Sequence, residues 1–442
     1  MPIGKSGYTN TLIHSPTETQ LFAQTTLFRV NLKSKIKSLK GLSFSQIALL
    51  PYAIFFVLSL KLLNFLFDVR IHTVKNHRIG HFATNTELSR LSSSTAQKIS
   101  RKKQINIYCF QVKKHSNSFL ARMWKRELFC LKSLLGQLVY DIGKLIIPKS
   151  TLKSTVADTT GLLGEFSPSL SFHQSELREG NAFINNLECK SKKGFVCLNV
   201  RDSSFFTKAT PIGWHKNRDW SYHDYRDSDI KTYVAAAEAL AERGYTVFRM
   251  GVIVKESLIS KHPQVVDYAT NGMRSEFLDI YLGAHCDFAI SVGSGWDGVP
   301  LIFRKPMIWV NHLPVFEPSD MTLPLVTFPK ILLDNQTNRF LKLDDLIKRE
   351  ISNSLSTQAY KDAGVIIRDL SSEELVEAVT EMAQRVEGTF VETPEQKEMQ
   401  AKLRHILSTH PKLQPSPNFY PVRAQLASCF LSRYPNFLDG LD

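Results

Sequence analysis

The sequence predicts an α/β protein built mainly on parallel sheet, and three observations carry that prediction. From Gly194 onward, short apolar runs alternate with helical segments, the texture of strands buried on both faces. Upstream, KQINIYCFQV (Lys103 to Val112) alternates like a strand, and RIGHFATNTELSR (Arg78 to Arg90) places Gly80 before a helix, as at the opening of a first α/β unit. The 442 residues, 43% of them apolar, can bury at least one large core; at roughly 150 residues per domain they suit two or three domains, and two is the expectation. A disordered or disulfide-stapled chain is excluded.

In order along the second half, the expected elements are strand GFVCLNV (Gly194 to Val200), a helix from Asp229 to Arg243 and strand YTVFRMG (Tyr245 to Gly251). There follow VVDYA (Val265 to Ala269), a helix from Ser275 to Cys286, DFAISV (Asp287 to Val292) and PMIWVN (Pro306 to Asn311). Ser371 with Glu374 three positions later is a capping box that opens a long helix. Prolines 411, 415, 417, 421 and 435 break up the tail, which is expected to wrap back over another element. In the first half, apolar positions at helical spacing run from Phe119 to Ile147, and a Ser/Thr/Gly-rich linker follows from Lys149 to Leu170.

The net charge of +14 is unevenly placed: residues 1–150 hold 23 Lys+Arg and 5 Asp+Glu, leaving 32 and 36 for the rest. Charge confined to one end points to a single anionic surface. No helix-turn-helix, zinc-finger spacing or Arg/Gly tract favours nucleic acid, so lipid headgroups are the expected partner. Residues Ile47 to Phe67 form an apolar stretch of bilayer-spanning length, but Lys61 interrupts it and both flanks are basic: Lys33, Lys35, Lys37 and Lys40 before, Arg70, Lys75 and Arg78 after. That symmetry suits a re-entrant or interfacial helix, kinked at Pro51, on the cytoplasmic face of the membrane. A buried core helix is the alternative. The six cysteines show no CxxC pair and read as reduced thiols, Cys197 and Cys286 as packing.

In parallel sheets ligands bind beyond the carboxyl ends of the strands, so the candidate residues are those that follow each strand. Arg201, after the first strand of the second half, can offer a bidentate fork to a phosphate or pair with Asp202. Arg249 and Gly251 occupy the same place on the next strand. SVGSGWDGVPLIFRKP (Ser291 to Pro306) matches GxGxxG through Gly293, Gly295 and Gly298, yet the next strand begins too soon for a dinucleotide fold. What remains is a glycine-lined turn whose N–H groups, with the Ser294 hydroxyl, can hold phosphate or sugar oxygens, and an Asp297 that either binds sugar hydroxyls or caps the helix. SYHDYRDSDI (Ser221 to Ile230) is dense in Tyr, His, Asp and Arg; capping and substrate-loop contact explain it better than a metal cluster, and no metal or cofactor is expected. His81 and Glu87, in the loop with Gly80 and Asn85, are candidates for general base on an acceptor hydroxyl, with hydrogen-bonded structural roles as the alternative.

The strings VCLNVRD, HDYRDSDIKTYVAAAEALAERGYTVFRMG, RSEFLDIYLGAHCDFAISVGSG and PLIFRKPMIWVN resemble a family of bacterial glycosyltransferases that also open with an apolar basic segment and an RIGH-type loop. The resemblance covers roughly Arg78 to Glu387. It implies a GT-B-like, fucosyltransferase-like fold, two Rossmann-like domains facing across a cleft, with the donor nucleotide held by the second and no obligatory metal. Arg201 matches the arginine that contacts the diphosphate in that group; the usual His-x-Arg-Arg-x-Asp motif is reduced here to Asn199 and a single arginine.

The expected organisation is a membrane-associating segment (1–75), an acceptor-side domain with linker (76–190), a nucleotide-sugar-binding domain (191–390) and a C-terminal helix and tail (391–442). The expected activity is transfer of a sugar, of hexosyltransferase type, from a nucleoside diphosphate sugar to a lipid-linked or surface-polysaccharide acceptor at the cytoplasmic membrane, with an anionic membrane surface as partner and no nucleic acid. A nucleotide-sugar epimerase, or a non-catalytic membrane-bound glycan-binding or scaffold protein, is the alternative.

Overall fold

The computed structural model describes residues 43–148, 151–153, 157–187, 191–204, 221–316, 322–413 and 422–441. The basic run Lys33 to Lys40, Cys189 and most of the tail prolines lie outside the described residues.

Helix α1 (Phe44–Leu63) is started by Ser43, whose side chain accepts from the Gln46 N–H while Gln46 Oε1 accepts from the Ser43 N–H, and Pro51 lies inside it. Strands β1 (Asp68–Val74), β2 (Gln104–Phe110), β3 (Cys130–Leu131) and β4 (Leu152–Lys153) form a parallel sheet in the order β3-β2-β1-β4. Strand β1 was hidden within the basic flank of the apolar segment: Asp68, Arg70 and His72 alternate with Val69, Ile71 and Thr73, so only half of its side chains look like strand residues. A π-helical turn (His81–Asn85) leads into α2 (Thr86–Ile99). The long helix expected from Phe119 to Ile147 is two, α3 (Ser118–Glu127) and α4 (Ser133–Ile146), separated by β3, because Leu128 to Leu131 are recruited to the edge of β2.

Helix α5 (Gln174–Asn185) precedes the larger sheet, whose order is β13-β10-β9-β8-β5-β6-β7 and whose pairings are all parallel. Its strands are β5 (Gly194–Asn199), β6 (Tyr245–Met250), β7 (Val265–Val266), β8 (Phe288–Ser291), β9 (Met307–His312), β10 (Leu325–Pro329) and β13 (Gln425–Leu426). Strands β11 (Ile331–Asp334) and β12 (Val365–Arg368) pair antiparallel beside it. The helices α6 (Val234–Glu242), α7 (Glu276–His285), α8 (Gly298–Ile302), α9 (Ser372–Glu387) and α10 (Pro394–Thr409) belong to the same half, with shorter helices at Leu343–Lys348, Thr357–Asp362 and Ser428–Arg433. The Ser371–Glu374 capping box opens α9 as the sequence requires, and the tail does return, β13 lying against β10.

Alternation along the central strands sends their side chains into two cores. Val196, Leu198, Val247, Ile290 and Ile308 join the core under α6 and α9. Cys197, Phe248, Ala289 and Met307 face the other way, into a core that also contains Val74, Phe82, Phe110 and Trp124 from the first half of the chain. One continuous apolar layer therefore joins the two sheets. It sets the loop after β1 against the loop after β8.

Candidate functional site

The carboxyl ends of β5, β8 and β9 meet at the Gly293–Ser294 turn. Gly293 has φ +77°, a left-handed conformation, and a Cβ there would run into the His312 imidazole, so glycine is required on both counts. Ser294 is knitted to the strand ends: Asn199 Nδ2 donates to its Oγ at 2.5 Å, and its N–H donates to Asp297 Oδ2 at 2.8 Å. Asp297 also accepts from the hydroxyls of Ser291 (2.5 Å) and Ser294 (3.2 Å). It is 2% exposed, and burial pushes its carboxyl up to about 6. Of the two sequence-level roles for Asp297, the geometry displays capping: with Ser294 it closes a capping box at the 3₁₀ turn before α8.

Arg226 reaches this turn, and two further cations, Arg201 and Lys330, meet at the neighbouring Asp227. Arg201 pairs with Asp227 and donates from Nη1 to the His223 carbonyl at 3.0 Å. Arg226 donates from Nη2 to the Gly293 carbonyl, and its Nε–H is buried without a hydrogen-bond partner among the described residues. Lys330, 4% exposed, donates from Nζ to the Asp227 carbonyl at 2.6 Å and pairs with Asp369 at 2.7 Å. Burial pulls the pKa of Lys330 and of Arg201 down, against their carboxylate partners, and pushes Asp227 up to about 6 against the pull of Arg201. His312, behind Gly293, is held down at about 3 by burial and by the Arg226 charge, so it is neutral.

Arg249 has a different setting. Its guanidinium is 1% exposed at the end of β6 and pairs with Asp267 at 3.3 Å; Asp267 in turn accepts from the Leu258 N–H at 2.9 Å. Asp202, next to Arg201, accepts from the N–H groups of Ser204 and Lys255, both at 2.8 Å. The structure thus ties Ser294 and Asp297 into one network beside Gly293, which Arg226 contacts, places Arg201 with Lys330 at the adjacent Asp227, and buries Arg249 apart from them against Asp267.

From the first half, Gly80 presses directly on Gly295: a Cβ on Gly80 would lie 2.8 Å from the Gly295 carbonyl oxygen and 3.0 Å from its Cα. The π-helical turn packs along α8, where a Cβ on Gly298 would meet Thr84 Oγ1 at 2.8 Å. Gly80 and Gly298 are therefore held to glycine by this contact, whereas a Cβ on Gly295 would meet nothing closer than 3.4 Å. His81, the residue after Gly80, has its Nδ1 3.4 Å from Asn85 Oδ1; burial, with Arg78 and Lys75 next, holds its pKa at about 4, leaving a neutral imidazole. Glu87 has no exposed surface. Its Oε1 accepts from Arg304 Nη2 at 2.6 Å and from the Ser169 N–H at 3.1 Å, tying the start of α2 to the segment after α8. Oε2 is buried without a partner among the described residues.

Sequence reasoning missed Arg226, Lys330 and His312. Arg226 sits inside SYHDYRDSDI, a segment marked only as a substrate loop, and Lys330 meets Asp227 across 103 positions of sequence. The signal available was that Lys330 follows strand β10 and His312 ends strand β9. Among the described residues no group of three His, Cys, Asp or Glu is placed to hold a metal ion.

No family model and no curated protein matches the sequence. Among solved structures, the chain is similar to E. coli ADP-heptose lps heptosyltransferase II, at 12% identity and TM-score 0.38, over 60% of this chain and 91% of that one. It is also similar to a glycosyl transferase family 9 protein from Veillonella parvula DSM 2008, at 10% identity and TM-score 0.37, over 72% and 98% respectively. Likenesses at these scores carry no argument, and the functional reading rests on the site itself.

Proposed function

We propose that the protein is a glycosyltransferase that moves a sugar from a nucleoside diphosphate sugar to a glycan or lipid-linked acceptor at the cytoplasmic face of the membrane. The observation that carries this reading is Arg226 on the Gly293 carbonyl at the strand ends, with Arg201 and Lys330 gathered at the adjacent Asp227. In the reading, residues 191–390 form the donor domain and the first sheet the acceptor side, in the GT-B manner, with Arg249 setting the end of β6.

The chemistry required is modest. The acceptor oxygen forms a bond to the anomeric carbon, the bond from that carbon to the diphosphate oxygen breaks, and the diphosphate departs with the electron pair. Negative charge grows on the departing phosphate, and guanidinium and N–H donors gathered at a buried turn stabilise it. Arg226 is best placed, since its buried Nε–H is available to an anion. With these cations serving the leaving group, the reaction needs no metal. In this reading the acceptor proton passes to His81, the residue after Gly80, which touches Gly295. Glu87 anchors the start of α2, which follows the His81 turn, to Arg304.

The test is donor turnover by the purified chain across a panel of nucleoside diphosphate sugars, with EDTA present. The expected result is release of nucleoside diphosphate from at least one donor, accelerated by acceptor glycan and reduced about 100-fold in Arg226→Ala, the scale for one lost transition-state donor. No turnover with any donor, or full turnover in Arg226→Ala, overturns the reading.

A further inference from the structure

Helix α1 carries two apolar faces, and among the described residues only one of them is occupied. Ala53, Val57 and Leu60, buried on one side, pack on α4 in a core with Ile71, Ile107, Leu138 and Val139 of the first sheet unit. At 100° per residue the opposite side presents Phe44, Phe55, Leu58 and Leu62, and the turn after the helix adds Phe65 and Leu66. These six side chains are 50–88% exposed. The helix is long and apolar enough to cross a bilayer, but crossing would strip Ala53, Val57 and Leu60 from the core they share with β1 and β2.

Charge identifies what covers the open face. Lys61, the single charged residue of α1, lies on the flank between the two faces rather than in the apolar arc. Lys102 donates from Nζ to the Phe65 carbonyl at 2.9 Å, and the Asp68 N–H donates to the Lys103 carbonyl at 3.0 Å, so the exposed run Arg101–Lys102–Lys103 is fastened beside Phe65 and Leu66. Ile99, 83% exposed, extends the apolar surface next to that run. Apolar side chains rimmed by lysine and arginine match a lipid monolayer with anionic headgroups, in which long basic side chains reach up to the phosphates.

We infer that α1 lies in the plane of an anionic membrane surface, sinking Phe44, Phe55, Leu58, Leu62, Phe65 and Leu66 into one leaflet while its other face stays on the protein. The inference gives a geometry to the membrane location proposed above. It does not depend on the transfer chemistry.

The experiment is sedimentation of the full chain with vesicles of phosphatidylcholine containing 30% phosphatidylglycerol, and with phosphatidylcholine alone, about the anionic fraction that gives basic segments a measurable attraction. Phe55→Glu/Leu62→Glu is expected to weaken binding to the anionic vesicles at least 10-fold, roughly the loss for two desolvated charges. Arg101→Glu/Lys103→Glu is expected to weaken it on anionic vesicles alone. Donor binding should be unchanged in both variants, which separates failure of this inference from failure of the transferase reading. Impermeant maleimide should label Ser43→Cys and Lys103→Cys from the same side of the membrane, read as labelled peptide mass. Labelling from opposite sides would show a span. Unaltered vesicle binding by Phe55→Glu/Leu62→Glu, with conversion of a dimer to a monomer, would show that a second copy of the chain covers the face; either result overturns the inference.

Discussion

Gly80→Ala is the smallest change that disturbs the meeting of the two halves. Its added methyl would lie 2.8 Å from a backbone oxygen, 3.0 Å from Gly295 Cα and 3.3 Å from its carbonyl carbon, and none of these atoms belongs to a side chain that can swing aside. The backbones must separate by several tenths of an ångström. Overpacking of this kind costs about 1–3 kcal/mol. The separation also shifts His81, one residue along, relative to the Gly293–Ser294 turn, and misplacement of about 1 Å can reduce a rate by about 100-fold. The expected outcome is a lowered Tm together with a fall in kcat of at least about 10-fold. KM for the donor should change little, because Arg201, Arg226 and Lys330 all stand on the other side of the contact. Thermal unfolding and steady-state kinetics of the variant read both quantities. Wild-type Tm and wild-type kcat in Gly80→Ala would refute the close-contact reasoning; a lowered Tm with unchanged kcat would refute the role given to His81.

Other expectations follow from the same geometry. Glu87→Ala leaves Arg304 without its buried carboxylate and should cost about 3 kcal/mol, while Glu87→Gln, which keeps an acceptor for the Ser169 N–H, should cost less and retain kcat per folded molecule; denaturant unfolding with activity measurements checks this. Arg249→Ala abandons Asp267 and should cost about 3–5 kcal/mol of stability, measured by urea unfolding. His72 is buried beside Asn106 and stacked on Tyr108, and burial holds its pKa at about 4, below the ordinary 6.5. The unfolded chain therefore takes up that proton first, so the stability contributed by neutral His72 is full above 6.5 and is lost as pH falls toward 4. The stability difference between wild type and His72→Gln should accordingly shift in favour of the variant across that window; a difference independent of pH would contradict the assignment.

What the sequence made legible were elements whose periodicity is undisturbed by neighbours. Strands β5, β6, β8 and β9 are covered on both sides and therefore read as continuous apolar runs, and the Ser371–Glu374 box announced α9 because a cap is a local device. Strand β1 was obscured because its alternate positions are polar: Asp68 and Arg70 pair with each other, and His72 is satisfied by Asn106, a partner that only the fold supplies. The same distinction runs through the site. Gly293 and Ser294 stand in one short motif and could be found there, whereas Lys330 owes its place to the return of β10. Gly298 answers to the approach of Gly80, a long-range contact that no spacing rule within the loop encodes.

The most direct test of the account is a structure of the chain with a bound nucleoside diphosphate. The account predicts phosphate oxygens at the Gly293–Ser294 turn, with Arg226 Nε and Nη2 and at least one of Arg201 and Lys330 turned onto them. A diphosphate seated elsewhere, with these cations still paired as they are to Asp227, Asp369 and the Gly293 carbonyl, would contradict it.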